Sequence, residues 1–255
     1  MTETLAVAGK GGTGKTTFAA LVVRFLRELG HTPILAIDAD PSANLHMALG
    51  LPLRDTVGQI REETREQVSG GVFQTGIAKP DWFEYQVLQC LVEGQDVDLL
   101  AMGRPEGPGC YCAANHMLRQ AIDRLGDAYR SVVIDNEAGM EHISRQTTRD
   151  VDWLFIVSDP SQRGLAAAEQ IVSLLASLGT RVGRAGLVVN RVRDGLDPAL
   201  RERVDRLGVP LLGILPDDPA ITRLDAKGCP LILLDENTAI YPAITSLLGG
   251  VLGES

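Results

Sequence analysis

Gly9-Lys10-Gly11-Gly12-Thr13-Gly14-Lys15-Thr16-Thr17 lies directly behind an apolar run near the start of the chain. Its spacing is G-x-x-x-x-G-K-[ST], the pattern of a loop that wraps the phosphates of a nucleoside triphosphate such as ATP. Glycines suit this loop because successive backbone N–H groups must turn inward on an anion, which residues without a Cβ do with least strain. Lys15 would reach the phosphates and Thr16 would offer its hydroxyl to a divalent cation, with Gly11, Gly12, Thr13, Gly14 and Thr17 completing the cradle. A second lysine, Lys10, stands at the loop's first variable position.

Two carboxylate segments follow. In Ile37-Asp38-Ala39-Asp40-Pro41-Ser42-Ala43-Asn44 the acids at i and i+2 project to one face of an extended strand end. A solvated turn favours the same residue types. Downstream of a phosphate loop, however, the segment reads as one that positions Mg²⁺ and water. The second segment is Ser131-Val132-Val133-Ile134-Asp135, a short strand that delivers one carboxylate to the metal. Mg²⁺ keeps several waters and needs few protein oxygens, so Thr16, Asp38 and Asp135 suffice.

A third cluster carries different chemistry. Gly103-Arg104-Pro105-Glu106-Gly107-Pro108-Gly109-Cys110-Tyr111-Cys112 is too rich in Pro and Gly for a helix or a central strand. Cys-x-Cys on an extended backbone puts two sulfurs on one side, able to meet one soft ion such as Ni²⁺ or Zn²⁺. Two thiolates fall short of a closed tetrahedral site. A two-fold dimer would supply the rest, with Cys110 and Cys112 facing their own copies. A redox thiol pair is the competing use. His116, one helical turn past Cys112, is a candidate extra ligand, although a surface or hydrogen-bonded histidine is the plainer reading, as for His142. Cys90, and Cys229 beside Pro230, read as small buried hydrophobes.

These motifs need a scaffold that presents them on one rim. Strand-like runs occur at 5–8, 33–37, 97–102, 132–134, 153–157, 185–189 and 211–215, most of them short and continuously apolar. That pattern belongs to parallel strands covered on both faces. Amphipathic stretches such as 165–178 and 199–207 are the expected crossover helices. The helix after the phosphate loop should run up to a C-cap at Gly30. The predicted fold is α/β: a single P-loop NTPase domain over 1–255, with a mostly parallel central sheet flanked by helices on both faces. An irregular, partly helical insertion is expected at about 51–95, and a metal loop at about 103–112. Ligands of such sheets sit beyond the C-terminal ends of the strands, where each motif falls.

Composition narrows the partners. The 255 residues contain 24 Lys plus Arg against 33 Asp plus Glu, a net charge of −9 that argues against general nucleic-acid binding. The Arg-rich stretch 181–206 is interleaved with acids and reads as a solvated helix face. No apolar run is long enough for a membrane span, and the chain opens directly on a strand, so a cytoplasmic protein is expected. Four cysteines in that compartment are not a disulfide framework.

K-G-G-T-G-K-T-T with Lys10, D-A-D-P-S-A-N and I-D-N-E-A-G together resemble the deviant Walker A family. That family includes the division-site protein MinD, the ParA partition ATPases, the nitrogenase iron protein and the arsenite-pump ATPase. The resemblance implies an ATP-dependent homodimer in which Lys10 reaches the partner's phosphates, much as an arginine finger does. It also implies that Asp40 positions the attacking water and that Asp38 bonds a Mg²⁺-bound water. Asn190 and Pro216-Asp217-Asp218 would frame the adenine. The string G-R-P-E-G-P-G-C-Y-C, with D-N-E-A-G-M-E-H, is similar to the CooC-type maturation ATPases of carbon monoxide dehydrogenase. This implies a metallochaperone that assists nickel insertion into a Ni–Fe–S cluster, with carbon monoxide dehydrogenase or acetyl-CoA synthase as client. Rival uses of the same core are a MinD/ParA-like positioning ATPase, an ATP-dependent Fe–S reductase, and a non-enzymatic module that only binds nucleotide. After Lys227 the chain has no Lys or Arg, which weighs against a basic amphipathic membrane anchor.

Overall fold

The computed structural model of the chain describes residues 2–60, 79–103, 120, 122–137, 150–175 and 181–253. All seven apolar runs form strands: β1 (Glu3–Gly9), β2 (Ile34–Asp38), β3 (Val97–Ala101), β4 (Ser131–Asp135), β5 (Val151–Ser158), β6 (Val182–Val192) and β7 (Leu211–Pro216). They make one sheet in the order β3-β2-β4-β1-β5-β6-β7. Every strand pairing in it is parallel. Parallel strands require crossovers on the sheet faces, so both faces are covered and alternate residues gain no access to water.

The two faces have separate cores. Leu5 and Val7 face α1 (Lys15–Glu28) through Phe18, Leu21 and Val22, together with Ile244 and Leu248 of the C-terminal helix Ile240–Leu252. Phe18 meets Phe155 of β5 with ring centroids 5.3 Å apart. Ala6 and Ala8 point the other way, toward Leu165 and Ala168 of Gln162–Leu174 and Leu200 and Val204 of Pro198–Asp205. These layers fix the direction in which every strand end points, and with it the placement of the motifs.

Element boundaries follow local chemistry. Pro33 falls outside β2 because it has no N–H for the ladder; its carbonyl instead accepts from Arg130 N at 2.9 Å. α1 closes as expected at Gly30: Gly30 N donates to Arg27 O at 3.0 Å and His31 N to Leu26 O at 2.9 Å, a Schellman ending. The helix Gln162–Leu174 begins ahead of its first apolar residue because Ser161 Oγ accepts from Gly164 N at 3.0 Å. Asp197 caps Pro198–Asp205 in the same way, with Pro at the first turn.

Within the stretch 51–95, the helix Lys79–Cys90 seats Trp82, Val87 and Cys90 in the interior and leaves Tyr85 and Leu88 exposed. The Arg-rich stretch is a helix face only over Pro198–Asp205; its first half forms β6, whose residues 187–190 are buried in the sheet. On and beside the helix, Arg203 pairs with Glu169 at 2.6 Å, Arg201 with Asp205 at 3.7 Å, and Arg206 with Glu202. No helix among the described residues is long and apolar enough to cross a membrane.

Candidate nucleotide site

The phosphate loop leaves the C-terminal end of β1, which lies between β4 and β5. A Cβ on Gly9 would stand 2.1 Å from Val157 O, so only glycine lets the loop start this close to β5. Thr13 Oγ1 donates to Lys10 O at 2.9 Å and ties the loop across its width. Gly14 adopts φ +90, and a Cβ there would sit 2.5 Å from Asn190 Nδ2. No side chain caps the start of α1, which leaves its first N–H groups facing the loop. Lys15 is 7% exposed, with its Nζ 3.5 Å from Lys10 O. A buried ammonium beside the Asp135 carboxylate, with one long hydrogen bond among the described residues, is poised for an anion.

The register between β2 and β4 sets Asp38 beside Asp135. Thr16 Oγ1 donates to Asp135 Oδ2 at 2.6 Å, so three residues far apart in sequence converge next to the loop. Asp38 accepts from Asp40 N at 3.1 Å and from Leu45 N at 2.8 Å, and Asp40 in turn accepts from Ser42 N at 2.8 Å. Asp38 therefore shapes the turn that carries Asp40, in addition to facing the site. Asp135 Oδ1 is buried with no hydrogen-bond partner among the described residues. Burial pushes the Asp135 carboxyl up to about 7, against the lowering bond from Thr16. The same cause raises Asp38 to about 6. A hydroxyl, two carboxylates and an orphaned buried oxygen are the donor set of a hard divalent cation, and the site fits Mg²⁺. Among the described residues no group of three or more His, Cys, Asp or Glu is placed to hold a metal ion.

On the other side of the loop lies a cleft of about 670 Å³ lined by Thr17, Asn190, Arg191, Pro216, Asp217 and Asp218, among others, a size that suits a nucleotide. Asn190 is buried at its floor. Its Nδ2 donates to Thr13 O at 2.9 Å and its Oδ1 accepts from Arg191 N at 2.9 Å. Asp218 accepts from Ala220 N at 2.8 Å and from Ile240 N at 3.1 Å, capping two helices at once. Asp217 is bonded to Arg193 Nε at 2.7 Å.

Two residues at the site had no role in the sequence reading: Arg191, inside the Arg-rich stretch read as a solvated face, and Asn136, quoted only as part of a motif. Arg191 Nη1 donates to Gly12 O at 2.7 Å. Asn136 is fully buried behind Asp135, with Nδ2 on Val7 O at 3.0 Å. Each is placed by a strand end meeting a distant segment, Arg191 at the end of β6 and Asn136 just after β4. Cys90 is 1% exposed, as expected of a core thiol. Cys229 is instead partly exposed: it follows the end of the helix Pro219–Ala226, where the chain turns at the surface. Cys110, Cys112, His116 and His142 lie outside the described residues.

Comparison with known proteins agrees with the fold and with nucleotide binding. Residues 4–231 match the CobQ/CobB/MinD/ParA nucleotide binding domain. An ATP-binding protein of Methanocaldococcus jannaschii is 40% identical over 250 residues, covering 98% of both chains. The carbon monoxide dehydrogenase accessory protein CooC of Rhodospirillum rubrum is 33% identical, with 98% of this chain and 99% of that protein covered. Among solved structures, the septum site-determining protein MinD of Pyrococcus horikoshii, complexed with Mg-ADP, superposes with a TM-score of 0.68 at 22% identity, covering 99% of this chain and 96% of that one. The chain belongs to the CobQ/CobB/MinD/ParA family of nucleotide-binding ATPases.

Proposed function

We propose that this ATPase is a Mg²⁺-dependent, cytoplasmic homodimer whose nucleotide state governs a soft-metal site, and that it assists nickel insertion into the Ni–Fe–S cluster of carbon monoxide dehydrogenase or the related acetyl-CoA synthase. The observation that carries the finer part is the CooC relative, matched over almost its whole length. The Cys110-x-Cys112 motif in this chain supplies the chemistry such a role needs. In this reading 1–255 is one ATPase domain, 51–95 an insertion and 103–112 the metal loop. Nickel, or zinc in its place, is the cargo, held by both Cys110–Cys112 pairs across the dimer.

The nucleotide chemistry is assigned to the residues gathered at the β1, β2 and β4 ends. Gly11, Gly12, Thr13, Gly14, Thr16 and Thr17 cradle the phosphates, Lys15 neutralises them in cis and Lys10 reaches them from the partner subunit. Thr16, Asp38 and Asp135 would hold Mg²⁺, which offsets phosphate charge when bound. Asp40 orients the attacking water. Its backbone is set by the Asp38 carboxylate, so the two acids act as one device. Asn190, Pro216 and Asp218 border the base.

The test is metal titration of the wild type and the Cys110→Ser/Cys112→Ser variant, apo and with ADP or ATP. Stoichiometric Ni²⁺ binding should vanish in the variant while nucleotide binding by the monomer persists. Unchanged Ni²⁺ stoichiometry sinks the metal role, and retention of the protein on anionic vesicles would favour a MinD/ParA-like positioning ATPase instead.

A further inference from the structure

Two consecutive side chains at the end of β6 hold two consecutive carbonyls of the phosphate loop. Asn190 Nδ2 donates to Thr13 O at 2.9 Å and Arg191 Nη1 donates to Gly12 O at 2.7 Å. The geometry that allows this is unusual. The pairing register between β6 and β7 shifts between Val189 and Val192, and Arg191 sits at φ +61. Residues with a Cβ seldom adopt that left-handed conformation, and they keep it where surrounding contacts over-determine it. Here the overdetermining contacts are Asn190 Oδ1 on Arg191 N and the guanidinium on the loop.

A trans peptide points its C=O and N–H in opposite directions. Anchoring the Gly12 carbonyl from β6 therefore aims Thr13 N–H away from β6, across the loop. That is where it lies, 3.4 Å from Lys10 O, a long bond that an anion can replace. Anchoring the Thr13 carbonyl aims Gly14 N–H by the same rule. Two donors of the cradle are thus oriented by side chains from another strand, and preorganised donors need no rearrangement when charge arrives.

We infer that Arg191 is a positioning residue for the nucleotide's phosphates, presetting the Gly12–Thr13 peptide plane so that its N–H meets the anion. The inference rests on the nucleotide-site reading above. Arg191 itself is exposed, so its side chain adds little to the core and its loss should not unfold the chain.

The test uses the full chain with Arg191→Met, which keeps the stem without the charge, and Arg191→Lys, which restores a cation. Binding is read by displacement of a fluorescent ADP analogue with Mg·ADP, inorganic pyrophosphate or adenosine. Arg191→Met should weaken ADP and pyrophosphate by about tenfold, the loss of one charge-assisted hydrogen bond, and leave adenosine within about twofold. Arg191→Lys should recover most of the loss, and the nucleotide-free melting temperature should stay within about 2 °C of wild type in both variants. Wild-type pyrophosphate affinity in Arg191→Met overturns the inference, as does a loss confined to adenosine or a matching drop for all competitors with lowered melting. Lys15→Met serves as the control for the site itself. If wild type fails to bind ADP, the nucleotide reading falls too; if only Arg191→Met is silent, the inference falls alone.

Discussion

Nucleotide-free protein should lose stability as the pH rises from about 5.5 to 8, and Asp135→Asn should remove most of that loss. Asp135 is raised to about 7 and Asp38 to about 6, in both cases chiefly by burial. An acid whose folded pKa exceeds its unfolded one binds its proton more tightly in the folded state. Stability is then fully present below the unfolded value, near 3.8, and is lost as pH climbs to the folded value. Each pH unit in that window costs about 1.4 kcal/mol per group. From about pH 5.5, Asp135 loses roughly 1.5 units' worth, or about 2 kcal/mol, and Asp38 adds a little over half a kcal/mol. For a chain of this size that lowers the melting temperature by about 5 to 10 °C. Thermal melts in EDTA across the range measure it. The amide in Asp135→Asn still accepts from Thr16 but cannot titrate, so its curve should be flatter by about 2 kcal/mol. Mg·ADP should reverse the trend, because a bound cation replaces the proton on the orphaned oxygen and affinity then rises with pH. Parallel pH profiles for wild type and Asp135→Asn would refute the assignment of the burden to this carboxyl.

Three further outcomes follow from contacts in the same region. Gly14→Ala places a Cβ 2.5 Å from Asn190 Nδ2 at φ +90; it should cost about 2 kcal/mol in denaturant melts and weaken ADP binding measured by titration. Asp218→Ala removes the acceptor for Ala220 N and Ile240 N, a loss of about 2 kcal/mol for two helix caps; a cost under about 0.5 kcal/mol with a large rise in ATP KM would show that the carboxylate serves the ligand instead. Arg24→Met should lower stability by about 2 to 3 kcal/mol without altering ADP affinity. Its buried guanidinium bonds Glu28 at 2.6 Å and the Leu234 carbonyl and lies 4.4 Å over the Tyr241 ring, joining α1 to the C-terminal segment.

What could be read from the sequence was whatever local chemistry dictates. Strands buried on both faces must be continuously apolar, so Leu5–Ala8 or Leu154–Val157 announce themselves without any partner. The phosphate loop is equally local, because its glycines answer to backbone geometry within a few residues. The segment after β2 shows why two readings of one string can both hold. Asp38 forms the turn expected of Asp, Pro and Ser, through Asp40 N and Leu45 N, and it also stands beside Asp135. Asn190, Arg191 and Asp218 were less legible because their partners lie far along the chain. Thr13 is 177 residues from Asn190, and Ile240 is 22 from Asp218. No spacing rule reaches across a sheet.

Strand order explains how one loop can be both fixed and responsive. β4 separates β1 from β2, so the carboxylates Asp38 and Asp135 lie on one side of the loop, while β6 delivers Asn190 and Arg191 from beyond β5 on the other. The β6 side grips loop carbonyls through two direct hydrogen bonds and holds them before any ligand arrives. The carboxylate side carries an orphaned oxygen and two raised acids, so under the proposed function it is the side whose energy changes when a cation binds. That side also reaches the root of the cysteine segment: Met102 N donates to Asp38 O at 2.8 Å, and Gly58 N to Met102 O at 2.9 Å. Under the proposed function, the residue whose carboxylate faces the cation also holds Met102 through its backbone carbonyl, eight residues ahead of Cys110 in the sequence. A coupling between nucleotide and cargo should therefore survive changes on the β6 side that only weaken phosphate binding, and fail when the Asp38 carboxylate is replaced.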